Sequence, residues 1–187
     1  MAMPAMPHRF TVDDYVRMVE TGILTEDDRV ELLDGEIVEM TPAGPRHAAV
    51  VARLQHRLTQ HAGSRVVVWV QSPIQLRPRN TPEPDVAVLR PRADFYDGAL
   101  PAAADVLLVI EVADSTLITD RNRKIPAYAE AGIPGAWIVN LVANHIQVFR
   151  DPAGRTYRTV TEVAPGAVVS ALALPDLTLP VEEILGV

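Results

Sequence analysis

The 187-residue chain has no cysteine. This excludes disulfides, thiolate metal sites and cysteine nucleophiles, and it fits a cytoplasmic protein. No apolar run approaches membrane-spanning length, and the opening MAMPAMPHRF lacks the continuous apolar core of a signal peptide. Neither secretion nor membrane insertion is expected. The nucleophile elbow G-x-S-x-G is missing, and the four serines (64, 72, 115 and 170) stand in other contexts. Neither G-x-x-x-x-G-K nor G-x-G-x-x-G occurs, and the histidines do not form H-E-x-x-H, which sets aside nucleotide hydrolysis and zinc proteolysis. Basic charge is scarce as well. A net charge of −7 argues against an obligate nucleic-acid coating protein, which would be basic. It leaves a nucleic-acid enzyme open, because acidic residues can gather at a metal site beside a local basic patch.

What is present reads as an ordinary soluble globular chain, with 48% hydrophobic and 22% charged residues. The length favours one domain with a self-sufficient core. Residues 1–10, with prolines at 4 and 7, read as a flexible arm, and 11–187 as the single domain. Thr11 is an N-cap for a short amphipathic helix, with Asp13 and Asp14 in its first turn and Gly22 as its stop. RVELLDGEIVEM at 29–40 is a hairpin turning at Asp34-Gly35. Its glutamates read first as solvent-facing, with Glu31 and Glu36 kept as accessory candidates. A helix over about 46–62 carries His47 in its first turn, where the helix dipole disfavours charge and predicts a neutral ring. His56 and His61 read as surface residues.

Residues 65–76 form a β stretch interrupted near Ser72-Pro73, and the loop at 90–104 reads as a mobile surface excursion. Arg77, Arg79, Arg90 and Arg92 make the best local basic cluster, solvated or in contact with phosphate. A helix over about 117–131 puts Asp120, Lys124 and Tyr128 on one face, with Arg121 and Arg123 elsewhere and Pro126 as a kink or a late start. AWIVNLV and HIQVFR pair about Ala143-Asn144, TYRTVTEV adds a third antiparallel strand, and the chain closes in an edge strand and a short helix.

Two strands carry the strongest chemical signal. Asp85 opens VAVL, and Glu111 lies near the end of VLLVIEVA. Apolar residues on both parities indicate strands buried on both faces. An ionised carboxylate there is costly unless a lysine, a metal ion or a proton compensates it. Carboxylates on adjacent strands can hold an oxygen-loving cation, and a lysine can orient water or offset charge on a phosphorane. Lys124, 13 positions beyond Glu111 (124 − 111), reaches back if its helix crosses the sheet.

The ordered set VELLDGEIVEM, RHAAV, TPEPDVAVL, VLLVIEVADST, D-x-x-x-K-x-x-x-Y from Asp120 to Tyr128, and AGIPGAWIVN covers roughly residues 29–150. It resembles the Uma restriction-endonuclease family, within the PD-(D/E)XK nuclease superfamily. The resemblance implies an α/β (α+β-like) fold with a restriction-endonuclease-like core. Helices would flank a mixed central sheet, with an N-terminal hairpin and a C-terminal antiparallel extension. It implies Asp85 and Glu111 as metal ligands, Mg²⁺ or Mn²⁺ as cofactor, DNA as substrate and a homodimer. Lys124 would replace the lysine of the E-x-K element, because position 113 is alanine. His47 and the hairpin glutamates match the pattern at the rim, Asp120 either holds Lys124 or forms a plain helix pair, and Tyr128 reads as packing. The competing reading is a catalytically lapsed nuclease fold serving as a binding or assembly module. A buried Glu111–Lys124 pair would satisfy it without a metal.

Overall fold

The protein is described here by a computed structural model covering residues 6–187 apart from positions 26 and 77. Helix α1 (Val12–Glu20) starts from a reciprocal cap: the Asp14 N–H donates to Thr11 Oγ1 and the Thr11 N–H to Asp14 Oδ2. Strands β1 (Val30–Leu33) and β2 (Glu36–Glu39) form the hairpin. Asp34 and Gly35 both take positive φ (51° and 77°), the two-residue turn that suits twisted strands. Helix α2 (Pro45–Ala62) begins on a proline whose missing N–H costs nothing there.

Six strands then build one sheet whose spatial order is the chain order. They are β3 (Val67–Val70), β4 (Val86–Leu89), β5 (Val106–Ala113), β6 (Gly135–Asn140), β7 (His145–Ala153) and β8 (Thr156–Val163). Only β5 and β6 run parallel, so only they need a crossover. It consists of α3 (Leu117–Thr119), a π-helical turn over Asp120–Lys124, and α4 (Ile125–Glu130). The chain ends in a separate pair, β9 (Val168–Ala171) with β10 (Leu174–Pro180), and helix α5 (Val181–Leu185).

The sheet is covered on both faces, which is why β4 and β5 are buried at every residue. On one face Leu108, Ile110 and Val112 pack with α2, α5 and the β9–β10 pair. On the other, Val109 and Ala113 meet Ile125, Tyr128 and Ile133 from the crossover. Glu111 falls between Val109 and Ala113 on that second face, so its carboxylate is carried into the interior.

Several expectations need correction. The crossover is not a single α-helix. Pro126 has no N–H for the carbonyl one turn back, and the register widens into the π turn just ahead of it. The 90–104 loop is anchored: Tyr96 is buried, its hydroxyl donates to the Arg90 carbonyl, and its ring meets Trp69 edge-on. The arm is pinned before residue 11, because Phe10 N–H donates to the Gly35 carbonyl and Arg9 pairs with Glu36; residues 1–5 lie outside the described residues. The last strands pair with each other, not with the central sheet.

Candidate active site

Asp85 and Glu111 meet because β4 and β5 are antiparallel neighbours with Val86 opposite Ile110. The start of one strand therefore lies beside the end of the other. The Val112 N–H donates to Asp85 Oδ2 at 2.8 Å, and His47 Nε2 lies 3.0 Å from Asp85 Oδ1. Asp85 is thus clamped from β5 and from the first turn of α2. That partner also reverses the expectation for His47. Its hydrogen bond with Asp85 raises the imidazole pKa, and this outweighs the burial that lowers it.

Glu111 is held from the crossover. Tyr128 donates its hydroxyl to Oε1 at 2.5 Å, and Lys124 Nζ lies 3.3 Å from Oε2. The same ammonium lies 3.2 Å from Glu31 Oε2 on β1 and 3.2 Å from the Glu83 carbonyl. Glu31 Oε2 in turn accepts the Glu83 N–H at 3.0 Å. Lys124 is therefore the point where hairpin, PEPD loop and crossover meet. It is also the only lysine in the chain, all other basic residues being arginine. A compact ammonium can serve three converging acceptors in a space too small for a planar guanidinium.

Around these groups lies a cavity of about 140 Å³. Seven carboxylates line it (Glu31, Glu39, Glu83, Asp85, Glu111, Asp114 and Asp120), against Arg29, Lys124 and His47. Counted formally, with every carboxylate ionised and His47 uncharged, the lining carries −5 (2 − 7). The titration behaviour follows. Burial pushes Glu111 well above the ordinary carboxylate range, with Lys124 acting against it. Burial likewise raises Glu83, and raises Asp120 to about 6. Burial alone would lower Lys124, but Glu111, Glu31, Asp120 and Asp85 together raise it, so it stays an ammonium.

The fold brings together Asp85, Glu111, Lys124, His47 and Glu31 from the sequence-derived set. Asp120 lines the same pocket, but its carboxylate accepts a hydrogen bond from Thr116 Oγ1 at 2.7 Å, while Lys124 turns to Glu31 and Glu111. Glu36 is elsewhere, paired with Arg9 and Arg123 on the far part of the hairpin. Tyr128, read as packing, touches Glu111 directly. Thr116, available in ADST to turn and cap, joins the site through Asp120, and Glu83 enters it without any motif of its own. Glu83 lies two positions before Asp85 on extended chain, and that spacing was the available signal. Among the described residues, the arginines of that cluster do not reach the pocket. Arg77 lies outside the described residues, Arg79 lines another groove, and Arg90 and Arg92 follow the far end of β4, bonded to the Ala104 carbonyl and to Asp94.

A structure from Anabaena variabilis, described as "a putative nuclease belonging to DUF820", is similar in fold. Its TM-score is 0.72 at 15% identity, over 95% of this chain and 98% of that one. No curated protein matches the chain. Among the described residues no helix is long and apolar enough to cross a membrane. The sequence profile of Uma2, described as "Putative restriction endonuclease", matches residues 12–182, and the chain belongs to that family.

Proposed function

We propose that the chain is a divalent-metal-dependent endonuclease hydrolysing phosphodiester bonds in DNA. One observation carries this reading: Asp85 and Glu111, 26 positions apart (111 − 85), share a carboxylate-rich pocket with the chain's only lysine. Asp85 and Glu111 supply the hard oxygen donors that Mg²⁺ or Mn²⁺ prefers, in surroundings short of positive charge. Among the described residues no three His, Asp or Glu side chains are grouped to cage an ion. That suits a cation which keeps several waters and takes substrate oxygens. When bound, it would supply Lewis-acid polarisation and a more acidic water.

The chain's own groups have distinct tasks. His47 and the Val112 N–H orient Asp85, and Tyr128 orients Glu111. Lys124, kept cationic by its neighbours, orients water or offsets charge developing on the phosphorane. Glu31 holds Lys124 in place.

The lapsed-nuclease reading rests on one competing observation. Lys124 Nζ, at 3.2 and 3.3 Å from Glu31 and Glu111, already neutralises charge where an ion would act. Calorimetric titration of Mn²⁺ into the wild type and Glu111→Ala separates the two. Saturable binding that disappears in the variant, followed by Mn²⁺-dependent nicking of plasmid DNA, supports the nuclease. No binding in folded wild type, with binding appearing in Lys124→Ala, leaves the binding or assembly module.

A further inference from the structure

Gln71 stands where β3 ends, at the edge of the same pocket. Its backbone takes φ 43°, in the left-handed region that a residue bearing a side chain disfavours. The turn is tightly tied: the Gln71 N–H donates to the Asp85 carbonyl at 3.1 Å, Ser72 Oγ to the Val70 carbonyl, and Trp69 Nε1 to the Pro73 carbonyl. Glycine would meet this backbone demand at lower strain. Of the other non-glycine residues with positive φ, Asp34 and Asn144 are in turns, Asp151 is an aspartate of β7 unpaired in the register with β8, and Phe95 and Tyr96 lie in the 90–104 loop. Gln71 is the one that lines the carboxylate pocket. It is exposed, and among the described residues its side-chain amide has no hydrogen-bond partner. The strained turn thus sets an exposed carboxamide at the pocket edge, one backbone hydrogen bond away from Asp85.

We infer that Gln71 is a substrate-contacting residue, whose carboxamide donates to a non-bridging phosphate oxygen of the polynucleotide chain at or next to the scissile bond. The inference rests on the nuclease reading and adds the group that grips the substrate. A neutral donor suits this position. A lysine or arginine at 71 would be drawn into ion pairs with Asp85 and Glu83, whereas a neutral amide is held less strongly by them and can still donate to an anion. The fixed αL turn keeps it at the pocket edge without borrowing a cation from the metal-binding face.

The test compares wild type with Gln71→Gly, Gln71→Asn and Gln71→Glu, using a 5′-fluorescein-labelled 20-nucleotide DNA, single-stranded and as a duplex, with Mn²⁺. Gln71→Gly is expected to melt no lower than wild type while binding the DNA about 3–10-fold more weakly, the loss falling on KM more than on kcat. Gln71→Glu should lose more than Gln71→Gly, because it presents a negative charge to phosphate. Gln71→Asn, which tolerates the same φ, should retain part of the affinity. Gln71→Gly with wild-type KM and affinity overturns the inference while leaving the nuclease reading standing. A wild-type protein that binds no Mn²⁺ and neither binds nor cuts either DNA defeats the nuclease reading, and this inference with it.

Discussion

The two faces of the central sheet are built from the same strands and solve opposite problems. On β5, Ile110 and Val112 face an aliphatic cluster under α2, α5 and β9–β10, while Glu111 between them faces Lys124, Tyr128 and the hairpin. The first face gains free energy simply by excluding water. The second places buried charge against buried charge, where desolvation offsets most of the attraction. The second face also carries its own apolar cluster around Val109, Tyr128 and Ile133, so the buried charges are an addition that packing alone does not require. The contrast can be tested in four ways.

The largest effect is expected at Lys124. Lys124→Met strands Glu31 and Glu111 in the interior and should cost about 3–5 kcal/mol at neutral pH in urea unfolding. Adding Glu111→Leu and Glu31→Leu should recover most of that loss, and the loss of Glu111 should abolish Mn²⁺ binding. If the triple variant stays as unstable as the single, the polar face is structural after all. On the apolar face, Leu54→Ala, at a fully buried α2 position, should cost about 2–5 kcal/mol, by the same amount at pH 5 and pH 8. A pH-dependent cost would blur the distinction between the faces.

Tyr128→Phe removes the hydroxyl on Glu111 and keeps the ring in its apolar setting. It should weaken Mn²⁺ binding by calorimetry about 10–100-fold, the usual cost of losing a group that orients a ligand. An unchanged affinity would return Tyr128 to simple packing. The smallest effect concerns Asp120. Its folded pKa, about 6, lies above the ordinary 3.8, so the fold favours the protonated acid. The stability this lends is complete below pH 3.8 and is lost as pH rises through about 6. Asp120→Asn should therefore leave stability at pH 3.5 nearly unchanged and raise it at pH 8 by on the order of 2 kcal/mol, read from urea midpoints. Destabilisation at pH 8 would show that the carboxylate is held charged.

Much of this architecture is legible in the chain. The Asp34-Gly35 turn, the α2 stripe of Val51, Leu54 and Leu58, and the two-sided burial of 106–113 follow from periodicity and turn chemistry. So does the presence of a carboxylate where none is cheap. The less legible parts depend on partners remote in sequence. The pKa of His47 moves up rather than down because its hydrogen bond with Asp85, 38 positions away (85 − 47), outweighs the burial that lowers it. Glu36 and Glu31 look alike in the hairpin, yet Arg9 and Arg123 claim one and Lys124 the other. That Lys124 is the only lysine was visible in the sequence, but its three acceptors were not.

Local sequence therefore determined the elements, the buried strands and the residue types able to do chemistry, because hydrophobic period, capping and turn geometry act over a few positions. The tertiary structure alone decided which carboxylate meets Lys124, why Tyr128 bonds Glu111, and how Gln71 comes to the edge of the pocket. Those outcomes are set by strand register and by the π turn of the crossover, and electrostatic forces at 3 Å depend on both.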